Sequence, residues 1–254
     1  MPDKAQPPAI CHLGVRMARR FRWAHAIPAL LLSLSVQACA QRAEPPQQAR
    51  ERMVKQQIEE RGVKDPRVLD AMRRIPRHLF VPPPLVPHAY DDTPLPTASG
   101  QTISQPYIVA FMTEQLRPEK SHVALEVGTG SGYQAAVLSL LVSKVYTIEL
   151  LPELARTAAE RLKKLGYHNV EVKQGDGYAG WPEHAPYDLI IVTAAPLEIP
   201  PALVQQLKPG GRLIIPVGPA GFQELQLATK DERGRLKVRS VLPVAFVPLV
   251  KPDK

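Results

Sequence analysis

The chain has 254 residues, is 44% hydrophobic and carries a formal charge of +8. That length bounds one domain of about 200 residues plus an appendage, large enough to hold a core without staples. The two cysteines, Cys11 and Cys39, both fall within residues 1–40, which excludes a disulfide framework, a thiolate zinc site and a cysteine nucleophile from the rest of the chain.

The charge is uneven. Lys4, Arg16, Arg19, Arg20 and Arg22 face only Asp3 within residues 1–40. The remainder has a mild basic excess and no Lys/Arg stripe with interleaved aromatics, so no nucleic-acid partner is expected. His12, His25, His78, His88, His122, His168 and His184 show no metal-ligand spacing. No metal is expected, and no Ser–His–acid set can be argued.

Residues 16–40 read as a signal peptide. Arg16 to His25 is basic, and Ala26 to Val36 is apolar but too short to span a bilayer. Val36-Gln-Ala-Cys39 looks like a bacterial lipoprotein cleavage site, so membrane attachment is expected only if Cys39 is lipidated. The competing reading is an apolar extension upstream of a true start, for which Met17 is a candidate. Ala40 to Gln48 is polar and contains proline, as linkers do. Residues 1–48 are therefore taken as leader and linker.

Residues 49–120 are expected to form a helical and substrate-loop region. Met53, Val54 and Ile58 have helical spacing within Arg50 to Arg61, and Gly62 is a stop signal. Asp65-Pro66 is an N-cap with proline at the first helical position. The helix it opens carries Val68, Leu69 and Met72 on one face, and Phe80-Val-Pro-Pro-Pro84 is read as its end. Residues 82–106 read as proline-rich loop without a sheet, and Tyr107 to Leu116 as a third short helix.

From residue 121 the period changes. Strands are expected at Val123 to Val127, Val145 to Ile148, Val170 to Val172, Leu189 to Thr193 and Arg212 to Val217. Helices are expected at Tyr133 to Leu141, Pro152 to Leu165 and Pro201 to Leu207, the last ending at Pro209-Gly-Gly211. Glu224 to Thr229 and Val238 to Val244 complete the set as an antiparallel edge. This alternation predicts an α/β fold with a Rossmann-like, doubly wound, mostly parallel sheet over residues 121–254.

Leu125-Glu-Val-Gly-Thr-Gly-Ser-Gly132 follows a strand and opens a helix. Glycines allow a sharp turn and close backbone approach to a ligand, and a helix N-terminus offers unpaired N–H groups. Glu126, Gly128, Gly130 and Gly132 are thus candidates for binding a nucleoside cofactor. Glu149 ends the next strand, where an acid can accept hydrogen bonds from ribose hydroxyls. Asp176 and Gly177 end the third strand, in reach of an adenine. These features suit NAD as well as S-adenosylmethionine (AdoMet). The Gly-x-Gly-x-Gly spacing favours AdoMet, which has no pyrophosphate to cradle. Thr102 and Ser104, in Gly100-Gln-Thr-Ile-Ser-Gln-Pro-Tyr107, offer hydroxyls to a substrate. Taken alone, the segment reads more simply as a cap for the helix from Tyr107.

Gly100-Gln-Thr-Ile-Ser-Gln-Pro-Tyr107, Glu126-Val-Gly-Thr-Gly-Ser-Gly-Tyr-Gln-Ala-Ala136, Gly175-Asp-Gly-Tyr178 and Tyr187-Asp-Leu-Ile-Ile-Val-Thr-Ala-Ala195 together resemble protein-L-isoaspartate O-methyltransferases. Arg61-Gly-Val63, Pro76-Arg-His78 and Phe80-Val-Pro82 add to the resemblance, which spans about residues 50–250. It implies methyl transfer from AdoMet to the free α-carboxyl of L-isoaspartyl residues in damaged proteins and peptides. It also implies that Ser104 is an active-site residue, with Thr102 as a second hydroxyl donor. Thr97-Ala-Ser99 departs from the family's glycine-containing form. A monomer is expected, located in the cytoplasm where AdoMet is made, with export or lipid anchoring through residues 16–40 as the alternative. Other readings are a methyltransferase with another acceptor, a non-catalytic AdoMet-binding module, and an NAD-dependent oxidoreductase.

Overall fold

The computed structural model describes residues 44–252, so the signal-like segment with Cys11 and Cys39 lies outside the described residues. The first helix, α1 (Pro46–Arg52), runs directly into a π-helical stretch, Met53–Glu59. It starts inside the segment read as linker, because Pro46 at the first helical position has no N–H to lose there. Met53, Val54 and Ile58 are the buried face of the π-helical stretch, as their spacing predicts. In α2 (Pro66–Arg74), the Asp65 carboxylate accepts the Arg67 N–H at 2.9 Å. This helix stops six residues before the expected Phe80. Ile75 precedes Pro76, whose ring disfavours helical geometry in the residue before it, and Ile75 is extended (φ −79°, ψ 119°).

Short 3₁₀ turns at Arg77–Leu79 and Pro83–His88 lead to a small antiparallel sheet. It pairs β1 (Leu95–Pro96) with β2 (Thr102–Ile103), in register Leu95 with Ile103. The sequence reading expected no sheet here. Strands of two residues are too short to show an alternation. Helix α3 (Pro106–Leu116) follows directly.

The main sheet has seven strands: β3 (Val123–Val127), β4 (Lys144–Glu149), β5 (Val170–Gln174), β6 (Tyr187–Val192), β7 (Leu207–Val217), β8 (Gln223–Lys230) and β9 (Leu236–Val244). Their spatial order is β5-β4-β3-β6-β7-β8-β9. Strands β3 to β7 are parallel to their neighbours, and β8 and β9 add antiparallel. Helices α4 (Tyr133–Ser139), α5 (Pro152–Lys164) and α6 (Pro201–Gln206) make the crossovers. The expected α/β fold, with a mostly parallel sheet and an antiparallel edge, is thus present. Strand β7 begins before the Pro209-Gly-Gly211 turn and bulges through it, with pairing irregular between Tyr187 and Leu189 of β6. A side chain on Gly211 would lie 2.8 Å from the Lys208 carbonyl oxygen, so only glycine fits that bulge.

Alternation along the strands splits the core between the two faces. Ala124, Leu189, Ile191 and Ile214 join the apolar residues of the π-helical stretch and of α2 to α4 in one cluster. Leu125, Val127, Ile190, Val192 and Leu213 join Trp181, Tyr187 and Leu203 in the other. The N-terminal helices therefore share a core with the sheet. Among the described residues, no helix is long and apolar enough to cross a membrane.

Gln206, at the end of α6, holds the loop after β5 against the second face. Its Oε1 accepts the Trp181 N–H and its Nε2 donates to the Ala179 carbonyl, both at 2.8 Å. Gln206→Leu keeps the volume and orphans both backbone groups. It should lower stability by about 2–3 kcal/mol, read as a lower urea midpoint with an unchanged denaturant slope.

Candidate functional site

Strand β3 is flanked by β4 on one side and β6 on the other, and the order of connection reverses there. In such sheets ligands bind in the crevice beyond the carboxyl ends of the strands at this point. A cavity of about 220 Å³ lies there, bounded by Val127, Gly128, Gly130, Ile148, Glu149 and Thr193 among others.

The glycine loop is shaped by what it must pass. Gly128 has φ +95°, and a Cβ there would lie 2.4 Å from Thr193 Oγ1. Thr193 instead donates its hydroxyl to the Gly128 carbonyl at 2.6 Å, joining the ends of β3 and β6. The Gly130 N–H donates to Glu149 Oε2 at 2.8 Å, and the Leu151 N–H to Oε1 at 3.1 Å. Glu149 is 7% exposed and has no Lys, Arg or His ion partner among the described residues. Its neutral partners leave lone pairs for further neutral donors, such as the two hydroxyls of a ribose.

Not every candidate reaches this cavity. Gly132 caps α4 and packs against Leu162 of α5. Asp176 closes its own turn, with Oδ1 accepting the Tyr178 N–H at 2.8 Å, while Gly177 does border the cavity. Glu126 is fully buried behind the loop. The Thr147 hydroxyl, 2.6 Å from that of Thr129, donates to Glu126 Oε2, whereas Oε1 has no partner. Burial pushes the Glu126 carboxyl up to about 8; the Thr147 hydrogen bond opposes this, and the nearby Glu149 charge adds to it.

A second cavity, of about 450 Å³, is walled by Pro94, Thr102, Ser104, Gln105, Ile108 and the segment Pro243 to Phe246. Thr102 borders both cavities. Ser104 does not cap α3. Gln105 occupies the capping position, and no side chain there makes a cap bond. The segment thus supplies the capping residue without a side-chain cap bond, and Ser104 lines the cavity.

The sequence reading missed the strap formed by Val247 to Val250, which closes the first cavity, as well as Thr193 and Gln101. The strap is pinned to the loop after β6: the Ala195 N–H donates to the Val247 carbonyl (2.8 Å), and the Leu249 N–H to the Ala195 carbonyl (2.9 Å). Gln223, buried in β8, grips both backbone groups of Phe246, at 2.6 and 3.0 Å. Tyr178 donates its hydroxyl to the Leu249 carbonyl at 3.1 Å. Thr193 and Gln101 both lie in segments that the sequence singled out, Thr193 at the end of an expected strand and Gln101 in the Gly100-to-Tyr107 segment, whereas the strap left no local signal. Among the described residues, no group of three or more His, Cys, Asp or Glu could hold a metal ion.

Because Glu126 is held protonated by burial, its unfolded-state value of 4.5 lies below its folded one. Between those values the unfolded state binds fewer protons, so this group's contribution to stability is full below 4.5 and is lost as pH rises towards about 8. Glu126→Gln keeps an acceptor for Thr147 and removes the titration. Urea unfolding across that range should show a flatter pH dependence in this variant than in the parent.

The profile of the Protein-L-isoaspartate(D-aspartate) O-methyltransferase (PCMT) family matches residues 48–254. The chain is 54% identical over 231 residues to Protein-L-isoaspartate O-methyltransferase 2 of Syntrophobacter fumaroxidans, covering 87% of this chain and 94% of that one. It is 52% identical to a Protein-L-isoaspartate O-methyltransferase of a Synechococcus species, covering 91% and 97% of the two chains. A solved protein-L-isoaspartate O-methyltransferase superposes with a TM-score of 0.70 at 32% identity, over 78% of this chain and 65% of that one. A Plasmodium falciparum structure described as a putative enzyme of this kind, in complex with S-adenosyl-L-homocysteine, also gives a TM-score of 0.70, at 25% identity over 80% of this chain and 99% of that one. With its switch-point cavity, its loop pair and a match running through both, the chain belongs to the protein-L-isoaspartate(D-aspartate) O-methyltransferase family.

Proposed function

We infer that the two cavities divide the work of one reaction, the first taking the methyl donor and the second the isoaspartyl acceptor. The chain transfers a methyl group from AdoMet to the free α-carboxyl of L-isoaspartyl residues in proteins and peptides. The observation that carries the division is that Thr102 borders both cavities, so donor and acceptor meet across one short strand.

The first cavity fits AdoMet. Val127, Ile148, Leu150 and the strap supply apolar walls for a base, and Glu149, with neutral partners only, suits a ribose diol. Gly128 and Gly130 let the loop backbone pass close to the ligand, and Gly177, which borders the same cavity near Val127 and Leu249, takes the adenine side in place of the Asp176 carboxylate. Glu126 and Gly132 support the loop from behind. When bound, AdoMet supplies an electrophilic methyl group on a sulfonium.

The acceptor carboxylate is ionised at neutral pH and needs no general base. The chain's own task is therefore to position that carboxylate and strip water from it. Ser104, with Thr102 beside it, donates hydrogen bonds that aim one carboxylate oxygen towards the first cavity. Ile108 and Phe246 present apolar surface around that carboxylate. Isoaspartate differs from aspartate by an extra backbone methylene and a free α-carboxyl, so selection rests on backbone shape against this wall. The backbone nitrogen of the following residue then attacks the methyl ester carbonyl, and methoxide leaves with the nitrogen's proton as methanol, closing a succinimide with no further group from the chain.

Methyl transfer from labelled AdoMet to an isoaspartyl peptide, with its aspartyl twin as control, tests the reading; equal labelling of both peptides would sink it. Ser104→Ala should lower kcat/KM for the isoaspartyl peptide by about 10- to 100-fold, the worth of one hydrogen bond to a charged group, with AdoMet affinity nearly unchanged. Glu149→Ala should weaken AdoMet binding by at least about tenfold in calorimetry, and an unaltered affinity would remove Glu149 from the ribose.

A further inference from the structure

Arg61 lies outside both cavities, at the end of the first helical segment, yet it touches both parts of the frame around the second. Its guanidinium carbon stands 3.7 Å from the centre of the Tyr107 ring, and Tyr107 stacks in turn on Phe111 within α3. The same guanidinium is paired with the Asp92 carboxylate. The Asp92 backbone carbonyl accepts the Gln105 side-chain N–H at 3.1 Å. Gln105 directly follows Ser104, and Pro94, two residues after Asp92, forms the facing wall of the cavity.

We propose that Arg61 is a positioning residue for methyl transfer, a latch that sets the spacing between the Pro94 wall and the Ser104 wall through Asp92 and Tyr107. The proposal rests on the reading of the second cavity as the acceptor site. Arg61 and Asp92 are 43% and 27% exposed, and an ion pair so open to water adds little to global stability. Its consequence is local. A planar guanidinium can stack on a ring and pair with a carboxylate at once, whereas an ammonium on a flexible stem can do only the second well. Asp92 is thereby held against α3, and with it the Gln105 contact that sets the direction of the preceding Ser104.

The test compares Arg61→Ala, Arg61→Lys and Ser104→Ala in steady-state methylation of an isoaspartyl peptide. AdoMet affinity and the number of binding sites per chain are read by calorimetry. Misplacing the acceptor wall should cost Arg61→Ala about 10- to 100-fold in kcat/KM for the peptide, with a raised peptide KM. AdoMet affinity and stoichiometry should match the parent. Arg61→Lys should recover part of the loss. Parental kcat and KM in Arg61→Ala overturn the latch, as does a loss matched by an equal fall in AdoMet sites, which is what simple unfolding would give. A parental Ser104→Ala instead overturns the acceptor-site reading beneath the proposal, and shows that failure separately from the Arg61 result.

Discussion

At the carboxyl end of β3 the chain must turn from a strand buried on both faces into a helix, and it must do so between two other strand ends. The Thr193 hydroxyl occupies the space where a Cβ of Gly128 would be and bonds the Gly128 carbonyl. On the other side, the Glu149 carboxylate takes the Gly130 N–H. These contacts tie the ends of β3, β4 and β6 around one loop, and the first cavity is the space they leave. A buried carboxylate held only by neutral donors is costly unless its remaining lone pairs also find donors. Those lone pairs stay open to further donors, among them the hydroxyls of a ribose.

The second constraint is closure. Strands β8 and β9 extend the sheet past the last crossover helix, and β9 ends where the strap begins. Gln223 in β8 holds Phe246, and Ala195 beyond β6 holds Val247 and Leu249. One continuous stretch, from Pro243 to Val250, thus walls the second cavity with its first half and the first cavity with its second. The N-terminal helices close the opposite side. Through the small sheet of β1 and β2 they bring Thr102 to the boundary between the cavities, and through Arg61 and Asp92 they brace the segment that carries Ser104.

Where local pattern and local chemistry coincide, the structure agrees with the sequence reading. The five parallel strands follow from apolar runs bounded by turn residues. The Asp65 cap and the Gly128-to-Gly132 turn follow from the few residues able to satisfy their backbones. Disagreements arise where short range is not enough. Strands β1 and β2, with two residues each, have no period to detect. The end of α2 at Ile75 was available in the sequence, since Pro76 follows it, but the later proline cluster drew the boundary too far. Ser104, next to the start of a helix, had the right chemistry for a cap, and the backbone geometry gave that position to Gln105.

By itself the sequence determined the α/β class and the strand–glycine–helix turn that marks a nucleoside site, while the family and the reaction it implies came from the resemblance that Gln101-to-Pro106 and that turn carry together. The class and the turn are properties of residues close together in the chain, where period, capping and turn geometry act. The tertiary structure alone decided which candidates border the first cavity. It put Glu126 and Gly132 behind the loop, turned Asp176 into its own backbone, and brought Thr193 and a strap more than fifty residues further on to the cavity wall. The reason is that a binding surface is a contact between strand ends distant in sequence. Its membership depends on the order of strands in the sheet and on which backbone groups remain to be satisfied there, and neither is encoded in any one segment.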